Sequence, residues 1–211
     1  MLNSNSFLQS CNPIGDVDNV ALAGPKGLLY IPDLISIAEE IALLSAIDEQ
    51  SWLLDLKRRV QHYGYRYDYK ARKLVPSMYL GPLPEWTDFI VDRLVSEGHM
   101  PERPDQMIVN EYVPGQGIST HVDCIPCFGP AICSLSLGSQ CVMDLASVNS
   151  DEKMSVILER RSALVLSDEA RYLWRHSIAG RKTDRIQGLA VPRGRRVSLT
   201  FRKALISAAT T

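Results

Sequence analysis

The chain has 211 residues, 45% hydrophobic and 22% charged, with 23 Lys plus Arg against 24 Asp plus Glu. Those proportions let a globular protein bury a core without disulfides or a structural metal, which excludes wholesale disorder. No run approaches the roughly 18 uninterrupted apolar residues of a membrane span, and Met1 to Phe7 lack a secretory signal's regions, so a cytoplasmic protein with no membrane partner is expected.

In chain order, residues 1–27 read as an irregular arm, and a strand over 27–31 enters the folded part. From Asp33 to Ala46 the apolar residues Leu34, Ile37, Ala38, Ile41 and Leu44 recur at helical spacing, with Asp33 as N-cap and Glu39 and Glu40 turned outward. Between 57 and 80, Tyr63, Tyr65, Tyr67 and Tyr69 alternate with Gly64, Arg66, Asp68 and Lys70, which predicts a strand or hairpin with four tyrosines on one face. Such a face either stacks on bases, its basic neighbours meeting phosphates, or packs as a ridge on the core. A second helix is predicted over 85–97 from Trp86, Phe89, Ile90 and Leu94, with Pro84 before it and Gly98 at its stop.

Beyond residue 106 the pattern changes to short alternating or apolar runs at 107–113, 118–123, 132–137, 140–145, 153–158, 163–167, 171–178 and 195–203. Consecutive short strands must bury a shared apolar face against a second sheet, which predicts a jelly roll or barrel with helices packed outside, an α+β class. The stretch from Leu135 to Val142, through Gly138 and Ser139, reads as a tight hairpin. One folded domain over 28–205 is expected, with 206–211 as a tail.

Charge is uneven along the chain. Residues 1–56 carry eight acidic groups against Lys26 alone, whereas basic residues concentrate in 57–73 and 171–203. Such clusters either bind polyanions or decorate a solvated surface. The five cysteines, Cys11, Cys124, Cys127, Cys133 and Cys141, form an odd set without framework spacing and are expected to be mostly reduced. Cys124 and Cys127 make a lone C-x-x-C, too little for a four-cysteine zinc site. Trp52, Trp86 and Trp174 are assigned to the core, and His62 and His99 to the surface.

The chemistry centres on His121 and Asp123, two apart in a predicted strand and so on one face, with His176 in a later strand able to return beside them. Two imidazoles and one carboxylate form the facial triad that holds Fe(II) and leaves positions open for cosubstrate and dioxygen. In the last strand Arg196, Ser198, Thr200 and Arg202 make a polar row opposite Val197, Leu199 and Phe201. Paired guanidiniums there suit a short dicarboxylate, since Arg forks bind carboxylates bidentately and stay charged when buried. Asn110 and Tyr112 alternate in a neighbouring strand and add polar groups to the same ligand.

With N-E-Y-V-P-G-Q-G-I-S-T-H-V-D, S-L-S-L-G-S at 134–139, R-Y-L-W-R-H-S-I at 171–178 and R-R-V-S-L-T-F-R at 195–202, the sequence resembles the AlkB family of Fe(II)- and 2-oxoglutarate-dependent dioxygenases over about residues 28–203. Its flavour is similar to the branch that contains the tRNA wobble-uridine hydroxylase and its bacterial relatives. The resemblance implies a double-stranded β-helix over about 106–203 and a nucleotide-recognition lid over about 57–80. It implies iron held by His121, Asp123 and His176, and 2-oxoglutarate held by Arg196 and Arg202 with help from Asn110, Tyr112 and Ser198. Where many relatives carry Asn, Ser198 is shorter, one hydrogen bond poorer for the cosubstrate. Tyr65, Arg66, Tyr67, Tyr69 and Lys70 are the implied substrate contacts. The implied activity uses dioxygen to dealkylate N-alkylated bases in DNA or RNA through hydroxylation of the alkyl carbon. The alternatives are hydroxylation of a modified wobble uridine in tRNA, or of a protein. A monomer is expected.

Overall fold

A computed structural model describes residues 24–54, 57–68 and 72–206, so residues 1–23 of the arm, Tyr69, Lys70 and the end of the tail lie outside the described residues. The N-terminal half runs β1 (Leu28–Ile31), α1 (Ile37–Asp48), β2 (Arg59–Tyr63) and α2 (Asp88–Ser96). Then follow β3 (Gln106–Tyr112), β4 (Ile118–His121), β5 (Phe128–Gly138), β6 (Cys141–Ser147), β7 (Lys153–Leu158) and β8 (Ala163–Leu166). The chain closes with α3 (Asp168–Tyr172), β9 (Trp174–Ile178), β10 (Thr183–Ile186), β11 (Leu189–Pro192) and β12 (Arg196–Ala204).

Two antiparallel sheets face each other, as a jelly roll requires. The larger has the order β1-β8-β5-β12-β3-β2, the smaller β4-β9-β6-β7, and β10 pairs with β11 as a separate hairpin that the sequence pattern did not reveal. Alternation along β12 does the sorting. Val197, Leu199 and Phe201 are wholly buried with Val109, Leu135 and Leu137 beneath α1 and α2, while the polar row looks toward the smaller sheet. Between the sheets, Met143, Leu145, Val156 and Leu158 pack on Leu28, Leu164 and Leu166 at one side, with Trp174. At the other side the space stays open.

Several sequence expectations are corrected. Helix α1 is capped by Ser36, not Asp33: the Ser36 hydroxyl accepts from Glu39 N, and the Glu39 carboxylate accepts from Ser36 N, a reciprocal capping box. Asp33 instead adopts φ 44° and receives Arg161. Ile37 and Ile41 are exposed, and Glu40, expected outside, is fully buried, accepting from Arg160 and from Gly138 N. The helix has rotated its apolar positions because that carboxylate satisfies a backbone donor where β5 ends. The expected hairpin at 138 is instead a corner. Gly138, at φ 80°, ends β5 in one sheet, and β6 starts in the other, a turn of hand that L side chains rarely adopt. The strand expected over 171–178 starts only at Trp174, because Arg171 and Tyr172 end α3. The first helical turn near 85 is a 3-10 turn leading into α2. His99 is buried against Glu97 rather than exposed. The lid expected from 57 yields its first part, β2, to the edge of the larger sheet.

Candidate active site

The open side of the sandwich is a cavity of about 560 Å³, walled by β3, β5 and β12 on one side and β4 and β9 on the other. His121 and His176 are direct register partners across β4 and β9, with ring centroids 4.3 Å apart. Asp123, expected to share a strand with His121, does not: it lies two residues past the end of β4, Oδ1 3.4 Å from His121 Nε2. One donor atom from each of the three falls within 4.8 Å of the others, a cluster able to hold a metal ion. The His121 ring nitrogen Nδ1 is 2.8 Å from Ser119 O, which assigns its proton to Nδ1 and leaves Nε2 free to ligate.

Electrostatics prepare the set. Burial alone would raise the Asp123 carboxyl, but the Arg202 guanidinium beside it holds it well below the usual carboxylate range. Burial pushes His176 down to about 4, against the pull of Asp123, so its imidazole is neutral at ordinary pH. Two imidazole nitrogens and one carboxylate are a donor set that suits Fe(II), and the chain's own atoms fit that metal.

Across the cavity, the β12 row is matched residue by residue with β3: Arg196 with Tyr112, Ser198 with Asn110, Thr200 with Ile108 and Arg202 with Gln106. Arg202 bridges the walls, donating from Nε to Asp123 Oδ2 at 3.1 Å and from Nη1 to Gln106 Oε1 at 3.2 Å. Arg196 is 3% exposed; its Nη2 donates to Ser136 Oγ at 2.8 Å, while its Nε is buried without a partner among the described residues. A buried guanidinium N–H left open beside a cavity is a vacancy in hydrogen bonding that a carboxylate fills. Ser198 shares a 2.9 Å hydrogen bond with Ser134 Oγ, and Asn110 Oδ1 accepts from Arg58 Nε at 2.8 Å. Tyr112 lies under two guanidiniums, each 5.4 Å from its ring. Burial raises its hydroxyl pKa.

The tyrosines divide. Tyr63 meets Trp86 edge-on at 5.8 Å within the helix-side core, and Tyr65 packs on Tyr79 at 5.0 Å. Tyr67 alone of the described ones lines the cavity, 5.3 Å from the Phe128 ring. Arg66 is exposed, and its backbone N–H donates to Met78 O. Cys124 and Cys127, expected as thiols, are joined in a disulfide directly after Asp123, because the short 3-10 turn at 125–127 folds them together.

Sequence reasoning missed Arg58, Gln106 and Arg171. Gln106 was readable, since it continues the period-two face of Ile108, Asn110 and Tyr112. Arg58 and Arg171 carried no pattern of their own. Arg171 is 2% exposed and donates to the carbonyls of Asp123, Cys124 and Phe128, tethering the loop that carries the carboxylate. Of the ten basic residues of 171–203, Arg175, Lys182 and Arg185 are exposed, while Arg181 and Arg193 pair with Asp184, and Arg195 with Asp48 and Glu111.

Comparison with known proteins places these residues in context. The pattern described as "2OG-Fe(II) oxygenase superfamily" matches residues 27–202. The chain is 37% identical to the "Alkylated DNA repair protein ALKBH8 homolog" of Arabidopsis thaliana, over 96% of this chain and 64% of the relative. It is 38% identical to the mouse "tRNA (carboxymethyluridine(34)-5-O)-methyltransferase ALKBH8", over 85% of this chain but only 30% of that protein. It therefore spans less than two thirds of either relative's length. The structure of OsALKBH1 superposes with a TM-score of 0.66 at 17% identity, covering 86% of this chain and 99% of that one, a likeness of fold.

Proposed function

The chain belongs to the 2OG-Fe(II) oxygenase superfamily and, within it, to the AlkB family, and on that premise we propose that this dioxygenase removes alkyl groups from N-alkylated bases of DNA or RNA. The observation that carries this reading is the pairing of His121 and His176 in register, with Asp123 beside them, opposite a buried arginine whose Nε lacks a partner in the same cavity. In this reading His121, Asp123 and His176 hold iron, and Arg196 takes the far carboxylate of 2-oxoglutarate. Arg202 steadies Asp123 and the near carboxylate, while Asn110, Tyr112 and Ser198 line the cosubstrate. Bound there, iron and 2-oxoglutarate supply dioxygen chemistry that hydroxylates an alkyl carbon while the cosubstrate is decarboxylated to succinate.

The chain's own groups bind and orient. The ionised Asp123 and the neutral His176 need lose no proton before they ligate. Ile132, Met143, Leu164 and Ile178 give the cavity apolar lining that excludes water, and Tyr67 offers a ring face at its mouth on which a base can stack. A hydroxylated N-alkyl carbon then separates as an aldehyde and leaves the base restored.

The test is mass spectrometry of a panel of N-methylated DNA and RNA oligonucleotides and modified tRNAs after incubation with Fe(II), 2-oxoglutarate and air, with His121→Ala as control. Loss of a methyl group with formaldehyde release is the expected result. Gain of one oxygen on a modified wobble uridine, with every methylated oligonucleotide untouched, would replace this reading by the hydroxylase. That second reading is favoured by the tRNA-modifying name of the mouse relative.

A further inference from the structure

Once the internally neutralised arginines are set aside, one guanidinium near the cavity stands out. Arg59 sits on Glu111, yet its neighbour Arg58 has no carboxylate partner among the described residues. Arg58 is held by Asn110 Oδ1 through Nε and lies over the Tyr112 ring, and neither terminal nitrogen of its fork has a partner among the described residues. It stands where the cavity meets a second, open trough of about 820 Å³ formed by Lys57, Arg58 and segments 115–120 and 177–180. Among the described residues not one Asp or Glu lines that trough; it is lined by two cations together with Ser119, Thr120 and Ser177. Its walls are backbone brought close: a Cβ on Gly117 would sit 2.1 Å from Ile178 O. Gln116 ties the two sides, donating from Nε2 to Lys57 O at 2.8 Å.

We propose that this trough carries the sugar-phosphate backbone of the strand whose modified nucleotide occupies the cavity, with Arg58 taking the phosphate at the junction. The inference rests on the nucleic-acid reading above and deepens it to a polynucleotide substrate in preference to a free nucleoside. A groove with cations and hydroxyls but no acid favours a ligand that carries a negative charge at every repeat, and an Arg fork grips phosphate with two parallel hydrogen bonds. Arg has donors only, so its bond to Asn110 Oδ1 also turns the Asn110 amide nitrogen away from it, toward the cavity. Arg58 thus touches the substrate's backbone and one of the cosubstrate's neighbours at once.

The experiment is fluorescence anisotropy of fluorescein-labelled, unmodified 12-nucleotide RNA and DNA single strands, titrated with the protein loaded with Mn(II) and 2-oxoglutarate at several salt concentrations. Arg58→Ala and Lys57→Glu, the latter at an exposed side chain that leaves the fold intact, are each expected to weaken binding about 10-fold, and Arg58→Ala to lower the salt slope by about one. Lys153→Glu, an exposed lysine on β7, is the charge-matched control and is expected to bind as the wild type does. The trough is overturned if the two trough variants bind within about twofold of wild type, if Lys153→Glu weakens binding equally, or if polyglutamate competes as well as the oligonucleotide. Should the wild type itself bind no strand at all, the nucleic-acid reading fails, not the trough alone.

Discussion

On the six-stranded wall of the cavity, β12 runs between β3 and β5 in unbroken register from Arg196 to Arg202. On the four-stranded wall, β4 offers only Ile118–His121, its pairing with β9 shifts between those two ends, and Asp123 lies beyond it. One wall positions its groups by a backbone ladder; the other positions its carboxylate by side-chain tethers, Arg202 to the carboxylate and Arg171 to the loop carbonyls. Precision on a ladder comes from many shared hydrogen bonds, so the loss of one side chain stays local. Precision from tethers rests on two buried guanidiniums, so the loss of one is passed to its neighbours.

The largest expected effect lies on the tethered wall itself. Asp123→Ala removes an anionic ligand and leaves Arg202 facing an empty site, and succinate production is expected to fall below detection while the circular dichroism spectrum stays native. Next is the pH response of the metal-free protein. His176 is held at about 4 when folded and titrates near 6.5 when unfolded, so the unfolded chain binds the extra proton first. Its stabilising contribution is complete above pH 6.5 and is lost as pH falls toward 4, by at most about 3 kcal/mol. Urea midpoints across that window measure it, and a His176→Asn variant with the same pH slope would remove His176 as the cause.

On the ladder wall, Arg196→Met is expected to raise the KM for 2-oxoglutarate by about 10- to 100-fold, the worth of one or two charge-assisted hydrogen bonds, with Mn(II) affinity unchanged. Arg171→Met is expected to do the opposite, weakening Mn(II) binding about 10-fold with a much smaller change in the cosubstrate KM, as the loop under Asp123 loosens. Equal effects of the two variants on both constants would erase the distinction between the walls. The smallest effect is expected from Ser198→Asn, whose longer amide reaches the cosubstrate and lowers its KM a few-fold. An unchanged or higher KM would mean that the Ser134–Ser198 hydrogen bond matters more than the added donor.

How far the sequence could be read follows the same divide. The β12 alternation was legible because a strand's period is two, and a polar row opposite Val197, Leu199 and Phe201 can face only solvent or a site. Asn110 and Tyr112 were legible for the same reason. The tyrosine repeat misled: alternation in residues 63–69 implies one face only if the strand continues, and β2 ends at Tyr63, after which Tyr65 and Tyr67 follow a different course. The basic stretch at 171–203 also misled, because charge along a chain says nothing about which carboxylates fold against it, and Asp184, Asp48 and Glu111 neutralise much of it.

The order of residue types alone determined the class of fold, the three prospective metal ligands and the arginine row, since these depend on periodicity and on donor chemistry that any single strand displays. Only the tertiary structure decided that Asp123 reaches the histidines from a loop, that Glu40 is buried under the corner at Gly138, and that Arg58, without a carboxylate partner among the described residues, lines both the cavity and the trough. Those outcomes turn on contacts between groups far apart in the chain, Asp123 with Arg202, Glu40 with Gly138 and Arg58 with Asn110, and local spacing holds no information about which distant partner will meet a buried charge or a free donor.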